Sequence, residues 1–548
     1  MSNIPFRHFG TMIDVSRNAV LTVDAVKKWI DISSDLGYNS LMLYSEDTYE
    51  IPGHPYFGHF RGRYSQMELR ELDSYALDHG VELIPCIQTL AHLNAIMRWP
   101  QYRKIQDFGP ILLAEDEGTY ELIDAMFASL AETFTTRLVH IGMDEAHMVG
   151  LGKYLQLHGL KDRHEILVKH LARVAEIAKK YGFETIMWGD MFFRIATGGE
   201  YYSDKINVTD EIRAMIPDNV RLVYWDYYST DRKRYEKMLE AHNRIKDKSW
   251  FAGGLWTWTG FAPHNRYSIE ATKAAIEACR NEGVQDVFLT LWGDDGGEGS
   301  VFSLLPALYY AAKCAEGETS RAAIEESFEK KYGIPFKQFM LLDLPGTDNA
   351  PAGVRSRKDL KIYNAEKYMF YNDVFMGTMD STTHEGGAAE YASAARKLSR
   401  VKKDPEWGYL FTALQALCEV LAVKYDLGIR THKAYAAMDR EELYRLVRDY
   451  KKLEKKLGVF YEAYKSEWMR EKKPHGFDVQ EIRMGGLALR VKECRKTLEA
   501  YLAGKLSRIE ELDEPNLDLR GGGLEMAGEP VYYNQWGSIV TANVISHG

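Results

Sequence analysis

Two adjacent carboxylates, Asp144 and Glu145, close the apolar segment Arg137-Leu-Val-His-Ile-Gly-Met-Asp-Glu-Ala-His147. A strand that delivers paired acids to its C-terminal end suits acid/base chemistry, because a proton donor or acceptor must reach a bond from a fixed direction. Two acids held close and partly dry repel one another. One of the pair is thereby pushed toward staying protonated and becomes a candidate general acid. His140, His147 and His92 add nitrogen donors nearby and raise a metal reading. On a strand, however, residues 140, 142 and 144 share one face and 145 points elsewhere, so the spacing does not focus four ligands on one ion. No metal and no cofactor is expected. His140 is expected to be a hydrogen-bonded interior histidine that orients an acid, and His92 to contact substrate or an acid.

The elements that must position these groups alternate regularly over the first 315 or so residues. Strands are expected at 7–15, 39–45, 81–88, 137–143, 184–188, 220–227, 250–256 and 286–292, with helices at 23–36, 66–79, 119–133, 164–181, 204–215, 232–245, 269–282 and 302–315. Such a run of βα units closes into an α/β (β/α)₈ TIM barrel whose chemistry sits at the C-terminal ends of the strands. Long loops at 46–65 and 89–118 belong to that face. Read strand by strand, the rim receives Glu46 and Asp47, then Gln88 and His92, then His140, Asp144 and Glu145. Trp188 and Asp190 follow, then Tyr224, Trp225, Asp226 and Tyr228, then Trp256 and Trp258, and last Trp292, Asp294 and Asp295. Aromatic walls with interspersed carboxylates are the composition of a saccharide pocket: rings stack on sugar faces while acids accept from hydroxyls.

At 548 residues the chain exceeds a single barrel, for which about 250–330 residues is ample. The expected division is a catalytic barrel over 1–316, a helical domain over 317–510, and a tail over 511–548 with short strands at 531–533 and 538–544. Within the helical domain, Leu443, Leu446, Val447, Tyr450 and Leu453 recur at helical spacing along 440–456 and make an amphipathic packing helix. A net charge of −10 argues against nucleic acid or an anionic membrane surface as partner. Cys86, Cys279, Cys314, Cys418 and Cys494 are odd in number and show no C-x-x-C spacing, so reduced buried thiols are expected. No basic region followed by an apolar stretch opens the sequence, and no apolar run reaches membrane-spanning length. A cytoplasmic protein with no membrane segment is therefore expected. The helical domain has the size of a homodimer interface and equally that of a buttress for the barrel.

The string His140-Ile-Gly-Met-Asp144-Glu145 resembles the H-x-G-x-D-E signature of glycoside hydrolase family 20, the β-N-acetylhexosaminidases. Met12-Ile-Asp-Val-Ser-Arg17, Leu43-Tyr-Ser-Glu-Asp-Thr48, Trp188-Gly-Asp190, Tyr224-Trp-Asp226 and Trp292-Gly-Asp294 are similar to that family's other strand ends, in order. The chain resembles the compact branch that lacks the preceding small α/β domain. The resemblance implies exo-hydrolysis of a terminal β-linked GalNAc or GlcNAc by substrate-assisted retention: the sugar's acetamido oxygen attacks the anomeric carbon and forms an oxazolinium. In that scheme Glu145 is the acid and then the base, Asp144 orients the acetamido group, and Tyr224 donates to its oxygen. Trp188 with Trp256 or Trp258 boxes the methyl group, and Trp292 stacks under the ring. Asp226 and Asp294 bind hydroxyls, with His92 and Asp47 as further contacts.

One departure bears on the sugar. Many members carry an Arg five residues before the first-strand Asp, where this chain has Phe9. Loss of a two-pronged charged grip, commonly worth about 1.5–3 kcal/mol, would remove the advantage of an equatorial 4-hydroxyl and favour GalNAc. The competing readings are a retaining glycosidase with an enzyme carboxylate as nucleophile and a carbohydrate-binding barrel without turnover.

Overall fold

A computed structural model describes residues 4–203, 205–294, 296–347 and 365–517, together with 537, 540 and 541. Eight parallel strands close into a barrel in sequence order: β1 His8–Asp14, β2 Ser40–Tyr44, β3 Glu82–Cys86, β4 Leu138–His140, β5 Glu184–Trp188, β6 Val220–Trp225, β7 Trp250–Gly254 and β8 Asp286–Leu291. The TIM barrel expected from the sequence is present. Alternate residues of each strand fill its interior, among them Met12, Met42, Tyr44, Ile84, Cys86, Ile186, Trp188, Val223, Ala252 and Phe288. The other face of each strand packs on helices, as where the Trp29 indole N–H donates to Thr11 at 2.9 Å. All five cysteines are free and buried. Among the described residues no helix is long and apolar enough to cross a membrane.

Helix starts follow local chemistry. Thr22 caps the helix Val23–Asp35, and Ser65 forms a reciprocal capping box with Glu68 on Gln66–Asp78. Two expected elements come out at less than half their length. β4 ends at His140 instead of 143, although the Ile141 N–H still donates to the Ile186 carbonyl at 2.8 Å and the Trp188 N–H to the Gly142 carbonyl at 3.2 Å; the His140 Nδ1 accepts the Gly142 N–H at 3.1 Å where the chain then turns. The helix expected over 204–215 is Asp210–Ala214, started by the Thr209 cap, and a separate helix Asp190–Thr197 leaves β5 and ends at left-handed Gly198.

The chain forms two compact units, and their boundary differs from the expected cut at 316. The first holds the described residues up to Leu255, with Ser268–Trp292 and Leu308–Ser320. The second holds Trp256–Tyr267, Gly293–Ala307 and the described residues from Arg321 onward. The segments that follow β7 and β8 thus fold with the helical region, and polar contacts explain why. Asp343 accepts the backbone N–H groups of Asn265 and Arg266 at 3.0 and 2.8 Å, and the buried Lys472 ammonium donates to the Gly297 and Gly299 carbonyls at 2.7 and 3.0 Å. The amphipathic helix expected over 440–456 runs on to Glu471 and buries Leu443, Leu446, Val447, Tyr450 and Leu453 as expected. The tail strands expected at 531–533 and 538–544 lie outside the described residues except for Val540 and Thr541.

At the N-terminal end of the strands, a charge cluster ties β8, β1 and β3 together. His8 contacts Asp286 through Nδ1 at 2.7 Å and Glu82 through Nε2 at 3.1 Å, Arg7 Nε donates to Asp286 at 2.8 Å, and the His8 ring stacks on Trp250. Burial alone would lower the His8 pKa, but the two carboxylates outweigh it and raise it from 6.5 to about 9. The folded state therefore binds a proton more tightly than the unfolded chain. Its stabilisation is complete below pH 6.5 and is lost as pH rises through about 9. Melting temperature should decline across that window, and less steeply in His8→Gln; parallel declines in the two proteins would show that this cluster does not carry the effect.

Candidate active site

β4 hands the chain to a tight turn that runs against ordinary backbone preference. Gly142, Met143 and Glu145 hold φ of +71°, +69° and +53°. Left-handed backbone at non-glycine residues costs of order 1 kcal/mol or more each and persists only where surrounding contacts impose it. Gln88, fully buried just beyond β3, is one such contact. Its Oε1 accepts the Met143 N–H at 3.1 Å, while its Nε2 donates to Asp144 Oδ1 at 2.8 Å and to the Tyr44 hydroxyl at 2.9 Å. A Cβ at Gly142 would lie 2.1 Å from Gln88 Oε1, so this position admits only glycine. Beyond the turn, the Glu145 N–H donates to Asp190 Oδ2 at 3.2 Å, which ties the acid to the start of the helix after β5.

His92 comes from the long loop after β3 and itself holds φ +58°. That loop is pinned to the chain beyond Glu145 through Asp107, which accepts the N–H groups of Gly150, Gly152 and Tyr154 at 2.6, 3.2 and 2.8 Å. The result places His92 Nε2 3.1 Å from Asp144 Oδ2 and 3.7 Å from Glu145 Oε2. The N–H axis is not aimed at the Asp144 oxygen, so the pair is an ion contact rather than a directed hydrogen bond. The Asp144 side chain is 14% exposed and that of Glu145 52%, which leaves Glu145 open to an incoming ligand.

The acids differ in charge for visible reasons. Burial would raise Asp144, yet the His92 charge and the Gln88 amide bring it down to about 2, so it stays ionised. Burial, with the Asp144 charge next, raises Asp190 to about 7. The upward push expected of neighbouring acids is thus found at Asp190, a residue the sequence reading had only placed at the rim. Asp190 is fully buried, and its Oδ1 has no hydrogen-bond partner among the described residues. His92 is raised to about 9: burial would lower it, and Asp144 more than offsets that. His140 is an interior histidine as expected, but it orients no acid. Burial lowers it to about 3, its ring lies 4.4 Å from that of Trp188, and it serves the turn through Gly142.

Trp188 and Trp292 form an aromatic floor, with ring centroids 5.9 Å apart and Trp292 edge-on to Tyr44 at 4.8 Å. The Arg17 guanidinium covers Trp292 at 5.2 Å and Tyr44 at 4.9 Å, pairs with Asp14 at 3.0 Å and approaches Glu46 at 3.6 Å. Glu46 is expected at the rim but with no role, and Arg17 is named only as part of the first-strand motif. The signal was available, since Arg17 follows the last β1 residue by three positions and Glu46 follows β2 by two.

Four expectations fail on geometry. Tyr224 is fully buried on the helix side of β6, its ring 4.4 Å from His242 and its hydroxyl donating to Asp226 Oδ2 at 3.0 Å. Alternation along β6 explains this: Val223 faces the interior, Trp225 packs on the same cluster, and Tyr224 lies between them. Asp226 is engaged by that hydroxyl and by the Tyr228 N–H at 2.9 Å, with Arg234 at 3.7 Å, and so is not offered to a sugar. Asp47 is buried against Arg61, whose Nε lies 3.3 Å from both its oxygens, and it fastens the loop after β2. Phe9 is fully buried on the outer face of β1, stacked on Tyr38 at 4.5 Å. Its side chain faces away from the barrel interior, so Phe9 bears on neither GalNAc nor GlcNAc. Trp256, Trp258 and Asp294 belong to the second unit, where the two tryptophans stack at 4.1 Å. Asp295 lies outside the described residues.

Comparisons with known proteins bear on this site. The bovine (Bos taurus) Hexosaminidase D is 25% identical over 252 residues, 44% of this chain and 68% of that protein. The human (Homo sapiens) Hexosaminidase D is 24% identical over 202 residues, 35% of this chain and 39% of that protein. Among solved structures, a β-N-acetylhexosaminidase from Bacteroides fragilis aligns with 61% of this chain and 71% of its own at 20% identity, with a TM-score of 0.44. The model of the glycosyl hydrolase family 20 catalytic domain matches residues 6–245, which include the whole turn from His140 to Glu145, and that of the glycoside hydrolase 20C C-terminal domain matches residues 337–526. With its catalytic and C-terminal regions both matched, this chain belongs to glycoside hydrolase family 20, the β-N-acetylhexosaminidases.

Proposed function

We propose that the protein is an exo-acting β-N-acetylhexosaminidase that removes a terminal β-linked GalNAc or GlcNAc through substrate-assisted retention. The observation that carries this reading is the division of labour between neighbouring acids: Asp144 held ionised by His92 and Gln88, beside a Glu145 that is half exposed. A fixed anion suits the acetamido N–H of the substrate. It accepts that hydrogen, turns the acetamido oxygen toward the anomeric carbon, and balances the positive charge of the oxazolinium that forms. Glu145 gives its proton to the departing glycosidic oxygen, then takes one from the water that opens the oxazolinium. Trp292, backed by the buried Trp188, supplies apolar surface for the sugar, and Arg17 with Glu46 supplies polar groups beside it.

Replacing Glu145 by Gln should abolish most turnover of alkyl or sugar aglycones and far less turnover of activated aryl glycosides, because protonation matters only where the leaving oxygen is basic. Steady-state kcat/KM on a matched pair of substrates decides this, and equal losses would remove Glu145 from the acid role. A thiazoline analogue of the oxazolinium should inhibit competitively at least about a hundredfold more tightly than the free N-acetyl sugar, as intermediate analogues do. Affinity no better than the product's would favour a carboxylate nucleophile instead.

Asp190 gives a test that needs no substrate. Its pKa rises from 3.8 to about 7 on folding, so the folded state holds a proton that the unfolded chain releases, and stability falls as pH climbs through that window. Asp190→Asn keeps an acceptor for the Glu145 N–H and removes the titration. Its melting temperature relative to the parent should therefore rise between about pH 4 and about pH 8. A constant difference would mean that Asp190 carries no such proton.

A further inference from the structure

The only cluster of three or more metal-capable side chains found among the described residues is His92, Asp144 and Glu145. One ligand atom from each can be chosen so that all three lie within 4.8 Å of one another. A tetrahedral ion with bonds of about 2.0–2.2 Å holds its ligand atoms roughly 3.3–3.6 Å apart. The two measured spacings, 3.1 Å from His92 Nε2 to Asp144 and 3.7 Å from His92 Nε2 to Glu145, straddle that value. The third spacing, between Asp144 and Glu145, is no more than 4.8 Å.

Two further features favour occupancy. His92 Nε2 is inaccessible to solvent and has no directed hydrogen bond among the described residues, so its in-plane electron pair is not committed when the ring is neutral. Asp144 Oδ1 stays on the Gln88 amide, which leaves Oδ2 as the coordinating oxygen and keeps that ligand oriented. An entering ion displaces the proton that His92 otherwise carries and releases it to solvent, after which two carboxylates and a neutral imidazole cancel the charge of a divalent ion. One nitrogen and two oxygens suit zinc and its neighbours in the first transition row better than magnesium or calcium, which prefer more oxygen ligands.

We propose that a single Zn²⁺-type ion binds His92, Asp144 and Glu145, with solvent completing its shell, and that the ion is an inhibitor that excludes the sugar. The inhibition, though not the binding, rests on the catalytic reading above, because it consists of occupying the two acids which that reading assigns to chemistry.

Binding is tested first, by titrating the full-length protein with CoCl₂, whose visible absorption bands report a low-symmetry nitrogen–oxygen site, and with ZnCl₂ by calorimetry. One ion should bind the parent protein. His92→Phe and, separately, the half-exposed Glu145→Gln should each weaken it by at least about a hundredfold, since even partners outside the ligand set are worth roughly 10–100-fold. Binding that is equal in the parent and both variants, or no binding at millimolar ion, overturns the site. The second arm measures hydrolysis of an aryl N-acetyl-β-hexosaminide with ZnCl₂ present. KM should rise with zinc while kcat holds, and EDTA should reverse the effect; noncompetitive inhibition overturns the exclusion. A protein that binds cobalt through His92 yet hydrolyses no such glycoside would leave the metal site standing and overturn the catalytic reading alone.

Discussion

The candidate site depends on one buried amide. Gln88 bridges the interior of the barrel to a turn that the backbone would not adopt unaided, accepting from Met143 and donating to Asp144. Together with the His140 Nδ1 that accepts the Gly142 N–H, that bridge holds the left-handed conformations that follow β4 from Gly142 onward. Because the same amide also donates to the Tyr44 hydroxyl, which donates in turn to Glu46 at 3.1 Å, the ends of β2, β3 and β4 share one hydrogen-bond chain. Such chains polarise along their length and fix the positions of all their members together. The turn also separates the two acids. Adjacent residues on a regular strand would point to opposite faces, whereas here both carboxylates lie within reach of one imidazole.

Most of the barrel was legible in the sequence because its signals are local. Apolar β-branched runs, glycines after helices and capping residues mark each βα unit, and six of the expected helices start within two residues of where they stand: 23, 66, 119, 164, 232 and 302 against 23, 66, 117, 163, 232 and 301. His92 lies within 4 Å of both Asp144 and Glu145, and Trp188 lies beside Trp292. What the sequence hid was which face of a strand each rim residue occupies. Tyr224 and Asp226 sit at a strand end, as a pocket requires, but the position of Tyr224 in the alternation turns its ring toward His242. The distance of Phe9 from Asp14 says nothing of its outward direction, which follows only from the interior positions of β1. Asp47 was hidden for another reason. Its partner Arg61 lies fourteen residues on, in a loop whose path no periodicity predicts.

Three acids crowd this turn and settle into different roles through their surroundings. Asp144 has a cation and an amide at its oxygens and keeps its charge. Asp190, sealed from water with one oxygen unpartnered, is driven toward the protonated form, and its neighbour's charge adds to that drive. Glu145 has the open position. An enzyme that needs one constant anion and one mobile proton within a few ångströms can obtain both from ordinary carboxyl groups by varying only what packs against each.

The segments after β7 and β8 have a bearing on descent. Asp343 holds the backbone at Asn265 and Arg266, and Lys472 holds the carbonyls of Gly297 and Gly299, so residues far apart in the chain specify the shape of the stretches that follow the last two barrel strands. A recombination breakpoint between the last barrel helix and the helical region would strand those stretches beside the wrong partners. A chain that keeps the barrel strands but loses Asp343 and Lys472 therefore loses the groups that shape those stretches.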